Sequence, residues 1–324
     1  MTIEVLCLRP KADFERLDAL PSSALAVSYH APEDAEVPAL MKRAQALVIP
    51  AVGGKLATTL FENAALKLIQ VTGAGLDRLD RAGVTRLGIP VANVPGNIGV
   101  AEYAVASALT LLRRFAWADA EIKRGQYAAF RARMLADNLP GLDGLRVGIV
   151  GFGIIGAAVA QAFHRMGSRI VYYDPAPPDA TAVATVKAES LSLDALLQTS
   201  DVVTLHVPLL PATQGLIGAR ELALMKPNAV LIQAARGGIV DEAALAQHLA
   251  AGKLGGAAVD VYSTEPPLAD NPLLKLAGEA AQRLLLTPHI AGVSRQSSAY
   301  LYRSAWRNVE RVLLQNEPPH HRVY

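Results

Sequence analysis

A chain of 324 residues that is 52% hydrophobic and 19% charged has the apolar content for two ordinary domains and too little charge for a disordered protein. Its 31 Lys and Arg against 29 Asp and Glu leave a net charge of +2, which excludes the strongly basic surface of a nucleic-acid binder. The single cysteine, Cys7, cannot cross-link the fold, so a reducing cytoplasm is the expected setting. No basic segment followed by an apolar core opens the chain. Its longest uncharged stretch, residues 147–163, is shorter than the roughly 20 residues of a membrane helix, and a soluble protein is expected.

In chain order, apolar runs at 3–8, 46–49 and 68–72 predict short strands, and 11–19, 38–43 and 58–65 predict helices between them. Such alternation implies a small parallel sheet with helices on its faces. Residues 90–96 read as another short strand, closed by Pro95-Gly96. A long helix is predicted over 100–124, with Ala104, Ala108, Leu111, Leu112 and Phe115 on one stripe. Alternation then resumes, with strands at 201–207, 229–234, 256–261 and 283–287 and a helix at 242–251 capped by Asp241. A last helix at 295–314 is expected to return to the first lobe. Arg303, Arg307, Arg311 and Arg322 near the end of the chain are expected to mark a solvated face. The expectation is a domain made from both ends of the chain around an inserted one, with chemistry in a cleft between them.

The inserted segment carries the strongest local signal. A buried strand, Arg146-Val147-Gly148-Ile149-Val150, runs into Gly151-Phe152-Gly153-Ile154-Ile155-Gly156, then an apolar helix, then a second strand ending at Asp174. Strand, glycine turn, helix, strand and acid is the order that binds a dinucleotide. Gly151 permits the tight turn, Gly153 lets backbone approach a pyrophosphate, and Gly156 lets the helix pack on the strand. Amides near Ile154 and Ile155 would face the phosphates. Asp174 suits the hydroxyls of an adenosine ribose and repels a 2′-phosphate, and no Arg or Lys follows in Pro175-Ala176-Pro177-Pro178. NAD is therefore expected in preference to NADP.

Arg236, Glu265 and His289 each follow a predicted strand in the second half of the insertion, where parallel sheets face their ligands. The three form a complete set for reducing a 2-keto acid. A guanidinium holds the carboxylate, an imidazole gives its proton to the keto oxygen, and a carboxylate keeps that imidazole oriented. His206 reads as a structural residue beside the cofactor and His164 as packed or solvated. The other histidines, His30, His248, His320 and His321, have no such constellation around them.

Four further runs, Leu205-His206-Val207-Pro208-Leu209, Ala235-Arg236-Gly237-Gly238-Ile239-Val240-Asp241, Val259-Asp260-Val261-Tyr262 and Pro288-His289-Ile290-Ala291-Gly292, resemble signature segments of the D-isomer-specific 2-hydroxyacid dehydrogenases. Gly73-Ala74-Gly75-Leu76-Asp77 resembles the loop whose amides meet the substrate carboxylate in that family. The resemblance implies an α/β protein of two doubly wound parallel-sheet domains. A Rossmann NAD-binding domain at 99–292 would be inserted into a discontinuous flavodoxin-like substrate domain at 1–98 and 293–324. It implies Arg236, Glu265 and His289 as catalytic residues, with Ala74, Gly75 and Arg236 on the substrate. Around NAD it implies Gly151, Gly153, Ile154, Ile155, Gly156, Asp174, Val207, Pro208, Thr213, Ala234, Arg236, Asp260, His289 and Gly292, with Asp260 near the carboxamide. No metal is implied. Gln233 stands where the family often has Asn, and Val207 where a hydroxyl residue is common.

The activity implied is reversible hydride transfer between NADH and a small 2-keto acid such as glyoxylate or hydroxypyruvate. The alternatives are an NAD-sensing, corepressor-like relative and a phosphite oxidoreductase on the same scaffold; formate oxidation fits poorly, because those enzymes have Gln where this chain has Glu265. The family also implies a homodimer formed through the 100–124 helix and an arm at 126–138. Pro50-Ala51-Val52-Gly53-Gly54, expected near the substrate side chain, is small and apolar and favours uncharged substituents over phosphorylated acids; Lys55 beside it would begin a helix.

Overall fold

The computed structural model describes residues 3–96 and 98–324. Residues 1, 2 and 97, which fall within the predicted bounds 1–98 of the first domain, lie outside the described residues. Contacts divide the chain into two units, one of Met1–Asn97 with Val293–Tyr324 and one of Ile98–Gly292.

In the first unit the strands β1 (Ile3–Cys7), β2 (Leu25–Tyr29), β3 (Ala46–Ile49), β4 (Leu68–Val71) and β5 (Val91–Ala92) pair in parallel in the order β2-β1-β3-β4-β5. β3 and β4 are buried at every position, as strands must be in a sheet covered on both faces, and β4 includes the polar Gln70. One face packs on Phe61, Met41 and Val84. The other packs on Phe14, Tyr302 and Trp306, which brings the helix Arg295–Leu313 into the unit. A buried polar contact fastens that helix, since Asn308 donates to the Gln70 side chain on β4 at 2.9 Å. Cys7 lies in this core, and burial pushes its thiol pKa up to about 12, so it stays protonated.

The second unit holds β6 (Arg146–Val150), β7 (Arg169–Tyr173), β8 (Glu189–Ser190), β9 (Val202–Leu205), β10 (Val230–Gln233), β11 (Gly256–Val259) and β12 (Leu284–Leu286). They form one parallel sheet in the order β12-β11-β10-β9-β6-β7-β8. The order reverses between β6 and β9, the switch point where a doubly wound sheet takes its ligand. Helices Ile98–Leu112 and Ile154–Arg165 cover one face, and Leu193–Thr199, Ala219–Leu224 and Glu242–Ala250 cover the other.

The elements differ from expectation in four places. The long helix breaks into Ile98–Leu112 and Phe115–Lys123 at Arg114, whose φ of 53° is left-handed. Arg114 pairs with Asp137 and lies 5.4 Å above the Trp117 ring, tertiary contacts that hold a bend the apolar stripe does not reveal. Residues 58–65 form only a 3₁₀ turn, Thr58–Phe61, and the helix expected at 11–19 is Lys11–Glu15. The strands β2 and β8 were not anticipated; both are edge strands, and β8 is short and exposed.

Candidate active site

The glycine turn shows two steric demands and one open space. Gly151 has φ of +90°, and a Cβ there would lie 2.9 Å from the His206 carbonyl carbon. A Cβ on Gly156 would lie 2.0 Å from the Gly151 oxygen, so only glycine lets the helix Ile154–Arg165 approach β6 this closely. A Cβ on Gly153 would meet nothing within 4 Å. Space is thus left open at the one glycine where a phosphate needs it. Gly153 is also the N-cap and supplies no side-chain acceptor, so the first amides of the helix offer their N–H groups outward. Ile154 is exposed. Asp174, at the end of β7, accepts from Phe152 N at 2.7 Å and from Ala176 N at 2.9 Å. The acid therefore also holds the glycine turn in place.

The loop after β9 completes this side of the sheet edge. Val207 is buried, and the Thr213 hydroxyl donates to Pro208 O at 2.5 Å while accepting from Leu210 N at 2.8 Å. His206 bonds the Thr204 hydroxyl through Nε2 at 2.9 Å, and burial lowers its pKa to about 3. A neutral, hydrogen-bonded imidazole next to the glycine turn agrees with a structural role for His206.

The polar set lies at the carboxyl ends of three adjacent strands. Gln233 of β10 is level with Val259 of β11, which is level with Leu286 of β12. Arg236, Asp260 and His289 thus follow a common line across the sheet. His289 Nδ1 lies 2.8 Å from Glu265 Oε2, and Tyr262 N donates to the other carboxylate oxygen at 3.1 Å. With Nδ1–H donating to the acid, Nε2 is the nitrogen left for proton exchange. Both side chains keep about a quarter of their surface open, 25% and 29%.

Arg236 is braced from below, its Nη1 donating to Ala235 O at 2.7 Å. Gln233 donates to Arg236 O at 2.8 Å and accepts from Ala235 N at 3.3 Å. A Cβ on Gly237 would sit 1.8 Å from Tyr262 O, so this glycine seats the Arg236 turn directly on the segment that leads to Glu265.

Asp260 is the residue whose surroundings its motif least foretold. It is fully buried, and its carboxylate accepts from Ile290 N at 2.8 Å, Ala291 N at 2.8 Å and the Thr287 hydroxyl at 2.6 Å. His289 N donates to the Asp260 carbonyl at 2.8 Å. The residue expected beside a carboxamide therefore clamps both flanks of His289, which itself has a left-handed φ of 56°. Since Thr287 spends its proton on Asp260, the Tyr103 hydroxyl 2.8 Å away must be the donor to Thr287. Tyr262 OH donates to Thr287 O at 3.1 Å, and burial raises the pKa of both phenols, that of Tyr262 to about 12. Tyr103, Thr287 and Tyr262 were not anticipated as site residues. The one available signal was an acid, Asp260, in an otherwise apolar strand.

Of the remaining candidates, Ala234 is partly buried and packs with the core of the second unit. In the first unit Ala74 is exposed, and its carbonyl is fixed by Asn93 Nδ2 at 2.9 Å. Among the described residues no cluster of acids, histidines or cysteines has the makings of a metal site. Among them, too, no helix is long and apolar enough to cross a membrane.

The family model of the D-isomer specific 2-hydroxyacid dehydrogenase NAD binding domain matches residues 105–291. The chain belongs to this family. It is 39% identical to a D-3-phosphoglycerate dehydrogenase of Archaeoglobus fulgidus over 72% of its own length and 42% of that protein's. It is 35% identical to a glycerate dehydrogenase of Methylorubrum extorquens over 78% of each. The chain therefore spans less than half the length of the phosphoglycerate dehydrogenase it matches. Among solved structures, the TT0316 protein from Thermus thermophilus superposes with a TM-score of 0.81 at 31% identity, covering 99% of this chain and 100% of that one. A nicotinamide dinucleotide is the cofactor of this family's binding domain, and the open space at Gly153 beside uncapped amides fits its pyrophosphate.

Proposed function

We propose that this protein interconverts a small 2-keto acid and its D-2-hydroxy acid with NAD(H). The observation that carries the reading is the 2.8 Å contact between His289 Nδ1 and Glu265 Oε2, set at the strand ends that hold Arg236 and Asp260. When bound, the reduced nicotinamide supplies the hydride that reaches C2 of the keto acid. His289, carrying a proton on both ring nitrogens, gives the one on Nε2 to the carbonyl oxygen, so that the C=O π bond is replaced by one C–H and one O–H bond and the imidazole is left neutral. Glu265 accepts from Nδ1–H in either protonation state and so keeps the ring oriented with Nε2 free to exchange the proton. Arg236 takes the substrate carboxylate, and the Ala74 and Gly75 amides are assigned to substrate binding within the first unit. Domain roles follow, with cofactor chemistry on 99–292 and substrate selection on 1–98 and 293–324.

NAD is favoured over NADP by the Asp174 carboxylate and by the absence of Lys and Arg from residues 175–178. A homodimer is supported by the exposed Phe115, Ile122, Tyr127 and Leu135 on the two helices that follow the bend at Arg114. A cytoplasmic setting is supported by the lone, buried cysteine.

The test is a panel of 2-keto acids with NADH, followed by nicotinamide absorbance, for the wild type and His289→Ala. Loss of a positioned proton donor lowers kcat about 10²- to 10⁴-fold, with NADH affinity by fluorescence titration nearly unchanged. Normal turnover in the variant would refute the role. Tight NADH binding with no turnover of any keto acid by the wild type would point to the sensor alternative.

A further inference from the structure

The second unit's sheet has another ligand-sized opening, at the strand ends opposite the glycine turn. Where β6 and β7 begin there is a cavity of about 410 Å³. Ile170, Val171 and Val186, each no more than 3% exposed, give it an apolar floor. Its rim is cationic. Arg146 opens β6 and Arg169 opens β7, and the two are partners in the parallel register. Lys187 precedes β8, which pairs with β7, and His164 comes from the last turn of the helix Ile154–Arg165. Strand order therefore gathers three cations, distant along the chain, at one edge. Glu189 is the one carboxylate lining the cavity.

The fold leaves that charge unbalanced. Among the described residues no carboxylate lies within 4 Å of Arg146, Arg169 or Lys187, and none of the three side chains makes a hydrogen bond. Asp201 is already engaged, by the Lys226 ammonium at 2.8 Å and by the Arg146 backbone N–H at 2.9 Å. Asp143 packs against Gly167 but lies beyond ion-pair distance of the three cations. The helix Ile154–Arg165 ends at this edge, and a helix carboxyl end supplies about half a negative charge, too little to offset three cations. Like charges on register partners repel, so an anion shared between Arg146 and Arg169 relieves the pair. Lys187 adds a separate observation. Its φ of 51° is left-handed, at a position just past a helix where glycine or asparagine is usual. Lysine there keeps a cation on the rim at the expense of backbone strain.

We propose that this cavity is a second ligand site, which takes a small oxyanion of two or more charges such as a pyrophosphate group or a tricarboxylate. Two guanidiniums offer planar forks to paired oxygens, the Lys187 ammonium offers a third contact, and the apolar floor receives a short carbon body. The site lies at the other end of the strands that carry Gly151 and Asp174, so it is separate from the dinucleotide and does not depend on which acid the protein reduces.

Calorimetric titration of the NADH-saturated full chain tests it, because the glycine turn is then filled. The probes are inorganic pyrophosphate and propane-1,2,3-tricarboxylate, with acetate as a singly charged control at equal ionic strength. One or both multivalent anions should bind, the tighter one identifying the ligand chemistry, and acetate should not. Arg169→Gln should weaken that binding about tenfold, the value of one charge-assisted hydrogen bond, with NADH affinity kept within about twofold. Lys187→Gly should weaken it too while raising Tm, since glycine accepts the left-handed backbone. Both positions are exposed, so the test survives if Arg146→Gln does not fold. Failure of both multivalent anions to bind the NADH-saturated wild type would overturn the proposal. Equal affinity in wild type, Arg169→Gln and Lys187→Gly would overturn it as well, because the anion would then sit elsewhere.

Discussion

Replacing Asp260 with Asn tests whether the loop that carries His289 is held by a buried carboxylate. The carboxylate presents two acceptor oxygens to three donors, Ile290 N, Ala291 N and the Thr287 hydroxyl, at 2.6 to 2.8 Å. Asn keeps the shape but turns one oxygen into an NH₂ group facing a backbone N–H. One charge-assisted bond is lost, worth about 1.5–3 kcal/mol, and a buried donor is left unanswered at about 1–3 kcal/mol. Relief from burying an ion offsets part of this, which leaves a net loss of about 2–4 kcal/mol. For a unit of this size that lowers Tm by about 4–16 °C, measurable by thermal denaturation. Activity should fall further than stability implies, because the clamp spans both flanks of His289 and a displacement of about 1 Å costs about 100-fold in rate. Thr287→Val removes a single donor and should produce the milder version of both effects. A Tm within about 1 °C of wild type and an unchanged kcat for Asp260→Asn would refute the reasoning.

Gly237→Ala places a Cβ 1.8 Å from Tyr262 O and should cut kcat about 100-fold by parting the Arg236 turn from the Glu265 segment. Gly238→Ala, with φ of +80° but nearest contact at 3.8 Å, should cost only about 1 kcal/mol of stability; similar kinetics for the two variants would contradict the packing argument. His206, neutral in the folded protein down to about pH 3 but protonated below 6.5 when unfolded, makes the unfolded chain the greater proton binder between those values. Its stabilising contribution is complete above pH 6.5 and is lost as pH falls toward 3. The slope is at most about 1.4 kcal/mol per pH unit, an upper limit because part of the residue remains open to solvent. Denaturation of wild type and His206→Gln across pH 4–7 reads it, and parallel curves would remove the residue from the account. Asp174→Ser should raise the NADPH-to-NADH ratio of kcat/KM about tenfold. It should also weaken NADH binding, since Phe152 N loses its acceptor; an unaltered ratio would show that cofactor choice lies elsewhere.

What the sequence disclosed and what it hid have a common physical origin. The glycine turn was legible because Gly151 and Gly156 each answer to a steric demand within a few residues or one strand away, with Gly153 open between them. Arg236, Glu265 and His289 stood out because each is a polar residue that follows a buried strand, and the structure brings Glu265 and His289 within 2.8 Å of each other. The parallel sheets followed from strands alternating with helices, while the strands β2 and β8, both at sheet edges, escaped notice because an edge needs less apolar sequence. Hidden from view were the residues whose partners are backbone groups or side chains outside their own element. Asp260 is defined by amides some thirty positions away, and an amide has no signature in a sequence. Arg114 ends a helix because of Asp137 and Trp117, contacts that no apolar stripe encodes. Arg78 belongs to the same class. Its nearest partner is the carbonyl of Gly54, so the loop read as neutral when its side chains were considered alone, and only the folded chain shows the charge beneath it. A loop's chemistry is set by what it rests on as well as by the side chains it displays, and here the apolar residues 50–54 rest on a guanidinium.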